Sequence, residues 1–183
     1  MTSMEQSPIE NRLAEDHRSL DALIVQLCDA LDNYDMERSF ARLDLVWARL
    51  AVHIRAEHLC LFPALLDAAR QLSVSEKGIP RFDEVQAAVK QLRRDHDFFM
   101  TELAKAVNAM RRTMRSLNSD AVQECLRDVR QTMSVIRDCL EKHNRLEEEQ
   151  VYRWPAVLLN LSRQTQVAEC ARHEIKNMPP RFA

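Results

Sequence analysis

A single glycine, Gly78, serves a chain of 183 residues. Hairpins and sheet corners need several residues at positive φ, which glycine adopts without steric cost, so this chain is driven toward long elements joined by few turns. Apolar residues recur at helical spacing along four stripes. The first is Leu13, His17, Leu20, Ile24, Leu27 and Leu31, and the second is Val46, Leu50, His53, Glu57 and Leu61. The third is Val85, Val89, Leu92, His96, Phe99 and Leu103, and the fourth is Val129, Met133, Ile136, Leu140, His143 and Glu147. Periodicity near 3.6 over such lengths marks helices. The fold class expected is all-α: an antiparallel up-down four-helix bundle of two αα-hairpins, with a short fifth C-terminal helix.

Local signals place the boundaries. Ser7-Pro8-Ile9-Glu10 has the capping-box pattern with proline at the first helical position, so helix one begins at about residue 8 and ends near Asp32-Asn33-Tyr34-Asp35. The second helix runs from about 36 toward Leu72, and Pro63 predicts a bend one or two turns beyond Glu57. Residues 73–82, with Gly78 and Pro80, form the one long connection. A third helix starts at about 83 and turns at Asn118-Ser119-Asp120 into a fourth. Pro155 breaks it, and a fifth helix at about 157–178 packs on the bundle or on a second subunit, giving a possible homodimer. The whole reads as one domain, 1–183, with the bundle at about 8–155.

Composition narrows the function classes. A net charge of −2 offers no broad basic face, and the Arg111, Arg112 and Arg115 cluster reads as a solvated helix surface, so no nucleic-acid partner is expected. No apolar run reaches the length of a membrane span or of a signal peptide, which leads to the expectation of a cytoplasmic protein with no membrane partner. The five cysteines, Cys28, Cys60, Cys125, Cys139 and Cys170, contain no C-x-x-C pair and are expected to be buried, reduced thiols.

Two stripes carry ionisable pairs where apolar residues belong: His53-x3-Glu57 and His143-x3-Glu147. Residues four apart share a helix face, so each pair presents an imidazole beside a carboxylate. A carboxylate in an apolar stripe is costly unless it is paired or bound to a metal. The halves repeat: Glu15-Asp16-His17 is echoed by Arg94-Asp95-His96, and the His-x3-Glu pairs are followed by Phe62-Pro63 and by Tyr152 and Pro155. His17 lies about 16 residues before its turn and His53 about 18 after, which at 1.5 Å per residue brings them level within roughly 3 Å. His96 and His143 agree equally well about the turn at Asn118. The levels of the two hairpins relative to each other stay open.

Any one of these histidines alone reads as a hydrogen-bonded core residue. Together, His17, His53, Glu57, His96, His143 and Glu147 read as metal ligands in the middle of a bundle. Two imidazoles per metal and two bridging carboxylates leave room for an oxo or hydroxo bridge and one exogenous ligand. That set suits two iron ions, with manganese or zinc possible, and argues against structural zinc. His58 lies off the metal face, and His173 is expected at the surface. Asp16 and Asp95 are expected to be exposed rather than hydrogen-bonded to the ligands, Cys60 to be a buried thiol, and Leu20 and Phe99 to line an apolar pocket.

The order His17, His53-x3-Glu57, His96, His143-x3-Glu147, with Leu61-Phe62-Pro63 just after the first pair, resembles the hemerythrin-like, HHE cation-binding family over residues 8 to about 155. The resemblance implies a four-helix bundle with a non-haem di-iron centre. Respiratory members carry a histidine where this chain has Met100, and an aspartate where it has Glu148, so the more symmetric ligand set looks closer to the subgroup that includes di-iron proteins of iron-sulfur repair. The leading expectation is a protein that binds O2, NO or another small ligand as a sensor, scavenger or buffer. The alternative is a redox enzyme that handles NO or peroxide, or an iron donor for cluster repair, served by an electron donor that the sequence does not name. A third is a helical interaction module with an inert centre.

Overall fold

The computed structural model describes residues 7–72, 78–116 and 118–182, and among these every regular element is a helix. Helix α1 (Pro8–Asp32) starts in the predicted capping box: Ser7 Oγ accepts from the Glu10 amide, and the Glu10 carboxylate accepts from the Ser7 amide. The following turn is made without glycine, by Tyr34 at φ 53, and Asp35 then caps α2 (Met36–Ala56). Gly78 takes φ 94 ahead of α4 (Phe82–Thr113), while residues 73–77 of the predicted connection lie outside the described residues. Asn118 Oδ1 accepts from the amides of Asp120 and Ala121 and opens α5 (Ser119–Glu149).

The predicted bend in the second helix lies nearer the ligands than expected. Residues Glu57–Leu61 form a π-helical turn, in which the Phe62 amide reaches back to the Glu57 carbonyl, and α3 (Phe62–Gln71) follows. Proline at 63 has no amide to donate and its ring crowds the carbonyl four residues earlier, so the ladder widens ahead of it. The consequence for the site is that Glu57, His58 and Cys60 all sit on one irregular turn.

Two apolar clusters fill the bundle, one containing Leu27, Leu43, Leu103 and Met133, the other Leu13, Phe62, Leu92 and Tyr152. The helices pass from one cluster to the other at their histidines. Along α1, Leu13 belongs to the second and Leu20 to the first, with His17 between them; along α4, Leu92 and Phe99 flank His96 in the same way. The polar residues therefore form a layer between two dry clusters.

The C-terminal part differs from the single fifth helix expected at 157–178. A 3-10 turn (Val151–Arg153) and a short α6 (Trp154–Leu158) precede α7 (Leu161–Lys176), which Asn160 caps. Helix α7 packs on α1, α2 and the π-helical turn. Arg55 Nε donates to Glu174 Oε2 at 2.6 Å and holds it there.

The expectation of five reduced thiols is overturned at two of them: Cys60 and Cys170 form a disulfide, while Cys28, Cys125 and Cys139 are free. The pair is 110 residues apart in sequence, and only the docking of α7 onto the π-helical turn brings the Cα atoms to 5.8 Å, a bridgeable separation. Closing a loop of that length is worth about 4–5 kcal/mol in chain entropy. Reduction should therefore lower the urea midpoint of the protein, and Cys170→Ser should show the lowered midpoint whether or not reductant is present. Equal midpoints for oxidised and reduced protein would contradict a stabilising bond.

Candidate metal centre

Each predicted ligand enters the polar layer from a different place. His17 comes from α1, His53 from α2, Glu57 from the π-helical turn, His96 from α4, and His143 and Glu147 from successive turns of α5. All six are buried, the two glutamates completely. His17 Nε2 and His53 Nε2 lie 3.1 Å apart, and His96 Nε2 and His143 Nε2 lie 3.0 Å apart, so the level-matching within each hairpin holds.

The relative level of the hairpins, open in the sequence, is closed by the carboxylates. Glu57 Oε1 is 3.7 Å from His53 Nε2 and Glu57 Oε2 is 3.3 Å from His96 Nε2. Glu147 Oε1 is 3.2 Å from His143 Nε2 and Glu147 Oε2 is 3.3 Å from His17 Nε2. Each glutamate thus spans its own hairpin and the other one. Two groups, His17, His53, Glu147 and His96, His143, Glu147, bring one ligand atom per residue within 4.8 Å of one another.

The residues fit a bound cation. Glu57 Oε2 and Glu147 Oε1 are buried without a hydrogen-bond partner, and a buried acceptor left in that state is destabilising unless something positive faces it. Protons do part of that work. Burial by itself would lower the pKa of His17, but its bonds to Glu147 and Glu148 and the charges of Glu147 and Glu57 push it up to about 10. Burial likewise opposes protonation of His143, and Glu147, Glu57 and Asp95 outweigh it and push that pKa up to about 9. Glu147, which burial would raise, is held well below its ordinary range by His143 and His17. A metal ion at the same place would replace these protons.

The outward nitrogens of the four imidazoles are all engaged. His53 Nδ1 bonds Asp16 Oδ2 at 3.0 Å, and His143 Nδ1 bonds Asp95 Oδ2 at 3.2 Å. His17 Nδ1 bonds Glu148 Oε1 at 2.8 Å, and His96 Nδ1 bonds His58 Nε2 at 2.9 Å. These contacts orient the rings with Nε2 inward. They correct the expectation for Asp16, which is buried and also paired with Arg49, and for Asp95, which is half-buried. Neighbours on a helix are about 100° apart, so an aspartate beside a ligand serves the histidine across the hairpin rather than its own neighbour. The repeated Asp-His dipeptide was the available signal. His58 belongs to neither three-residue group, yet it hydrogen-bonds His96. His173 is exposed, and Cys60 is bonded to Cys170 rather than free.

The internal repeat marks Tyr152 only as the counterpart of Phe62. Its fully buried hydroxyl donates to Glu57 Oε1 at 2.6 Å, lies 3.1 Å from Glu147 Oε2, and is 3.1 Å from His17 Nε2. Burial and the two carboxylates raise its pKa well above the ordinary value, so it stays a neutral phenol.

Away from Tyr152, the inner faces of His17, His53 and His143 border a cavity of about 10 Å³ walled by Leu20, Ile24, Val46, Leu50 and Leu140. That is space for about one water-sized molecule. Leu20 lines it as expected. Phe99 instead packs edge-on against His143, with ring centroids 5.2 Å apart. Asp21 and Asn144 complete the cavity's lining, and these two residues with Ile24 and Leu140 also line an adjoining open groove between α1 and α5, on which Glu148 lies.

The family described as Hemerythrin HHE cation binding domain matches residues 9–155. No curated protein and no solved structure matches the chain.

Proposed function

The chain belongs to the hemerythrin HHE cation-binding family, and we propose that its buried centre holds two iron ions and binds a small diatomic ligand, O2 or NO, in the apolar cavity beside them. In this reading residues 1–183 are one domain, an antiparallel up-down four-helix bundle with α7 docked on it. His17, His53, Glu57, His96, His143 and Glu147 would hold the iron ions, Glu57 and Glu147 each lying near one histidine of either hairpin. The mixed imidazole and carboxylate set suits iron, with manganese or zinc possible. Two iron ions would supply reversible ligand coordination and one-electron chemistry.

The observation that carries the proposal is the cavity. Its volume of about 10 Å³ is room for about one water-sized molecule beside His17, His53 and His143, and Leu20, Ile24, Val46, Leu50 and Leu140 give it a mainly apolar lining. Adding O2 or NO to the reduced, iron-loaded protein should change its visible spectrum. Val46→Phe, which fills the cavity, should weaken that response while iron content is kept. No spectral change with either gas would sink the proposal.

One observation favours turnover as a second reading: the Tyr152 hydroxyl is a buried hydrogen-bond donor among the histidines and glutamates. Repeated consumption of NO or peroxide with an electron donor would separate an enzyme from a reversible binder. No helix among the described residues is long and apolar enough to cross a membrane. The cytoplasmic location proposed from the sequence goes with reduction of Cys60–Cys170 in the cell, since disulfides persist in oxidising compartments.

A further inference from the structure

The two halves of the chain supply the same ligands from equivalent places, so a symmetric pair of metal positions would be the simple expectation. Two equivalent places differ. The residue after the glutamate is His58 in the first half and Glu148 in the second; the residue five beyond it is Phe62 in the first and Tyr152 in the second. Each of these side chains reaches across to the other hairpin, so the differences fall on separate metal positions. Glu148 bonds His17 Nδ1 at 2.8 Å, and the Tyr152 hydroxyl lies 3.1 Å from His17 Nε2. His58 bonds His96 Nδ1 at 2.9 Å, and the Phe62 ring stacks on His96 with centroids 6.1 Å apart.

We infer that the two metal positions are unequal: the one between His17 and His53 takes a divalent cation in preference to the one between His96 and His143, with Glu148 and His58 as the positioning residues that set the difference. This rests on the metal-centre reading above.

A carboxylate that accepts the Nδ1 proton of a ligand imidazole makes its Nε2 a better electron donor to a metal. Glu148 does this for His17. His58 can accept from His96 only as a neutral ring with its own proton on Nδ1, because a protonated imidazole has no lone pair to offer. It withdraws the His96 proton less and brings no negative charge. Asp16 and Asp95 provide a carboxylate at each position, so they largely cancel. Arg49 acts in the opposite sense by pairing with Asp16, but it is one contact removed from the ring, whereas Glu148 touches the ring itself. Tyr152 puts a hydroxyl on the His17 side, where the His96 side has only a hydrocarbon ring; because it donates to Glu57 Oε1 it partly offsets the carboxylate charge there, and the difference is carried by Glu148 and His58.

The test is zinc, which is redox-silent, followed by the ring-nitrogen NMR signals of the four histidines. With one equivalent of Zn²⁺ added to the metal-free protein, ligation shifts should appear on His17 and His53 over His96 and His143 by about ten to one or more, the low end of what such supporting contacts contribute. Glu148→Gln should bring that ratio toward one by weakening the first position. His58→Glu should do so by strengthening the second. Glu148 is half-exposed at its side chain and His58 is partly exposed, so both variants change residues at the edge of the core. Even occupancy in the unaltered protein, or a ratio that neither variant moves, overturns the inference. Absence of ligation shifts on all four histidines at two equivalents overturns the metal-centre reading instead.

Discussion

Glu147→Ala is expected to remove metal binding at both positions, where His53→Ala removes it at one. Glu147 is common to both three-residue groups and is fully buried, with one oxygen toward His143 and the other toward His17. Among the described residues no other carboxylate is placed to replace it, because Glu57 already spans His53 and His96. The loss in affinity should exceed the 10–100-fold typical of a supporting residue. The metal-free variant should also be less stable. His17 and His143 hold their protons to about 10 and about 9 because Glu147 is there, and removing one partner of a buried charged group costs about 3–5 kcal/mol. Metal content after equilibration with Fe²⁺, together with a urea midpoint, measures both effects. His173→Ala, at an exposed position, is the control that should change neither. Two irons per chain in the alanine variant would remove Glu147 from the ligand set.

The second large effect is on pH. Reference imidazole behaviour predicts that metal affinity declines only as pH falls through about 6.5 and below. The structure moves that window upward, because in the metal-free protein His17 and His143 titrate near 10 and 9. Each must lose its proton to bind a metal through Nε2, so apparent affinity at each position should rise about tenfold per pH unit from pH 7 toward 9, and the product for loading both about a hundredfold. Calorimetry in buffers of different ionisation heat should show about two protons released per loaded chain at pH 7.

Stability of the metal-free protein runs the other way. A histidine whose folded pKa is raised contributes stability that is fully present below about 6.5 and is lost as pH rises through about 9 and 10. At the acid end, the depressed pKa of Glu147 means that its share is present above the ordinary carboxylate range and is lost as pH falls through the lowered value. Metal-free protein should therefore weaken in alkali while the loaded form gains. Metal affinity that stays flat from pH 7 to 9 would show that Glu147 does not hold these protons.

Periodicity and local signals were enough to place the long helices, the Ser7–Glu10 capping box and the six inward-facing residues, because each depends on neighbours within a turn or two. The equal distances of His17 and His53 from their turn, and of His96 and His143 from theirs, even set the pairing within each hairpin. The remainder depends on how rigid helices sit against one another. Residues 131 apart in sequence meet in the His17–Glu148 bond, and residues 38 apart in His58–His96. Helical spacing tells which face a side chain occupies, but not which helix lies opposite, and so Asp16 and Asp95 looked exposed when they were already committed across the hairpin. Tyr152 looked like a second Phe62 until the 3-10 turn after α5 swung its hydroxyl among four ligands. Cys60 and Cys170 looked like separate thiols until α7 docked on a turn widened by a proline. Local chemistry put six ionisable side chains on inward faces; the packing of α1, α4, α5 and α7 decided which groups hydrogen-bond them and where a small cavity opens beside them.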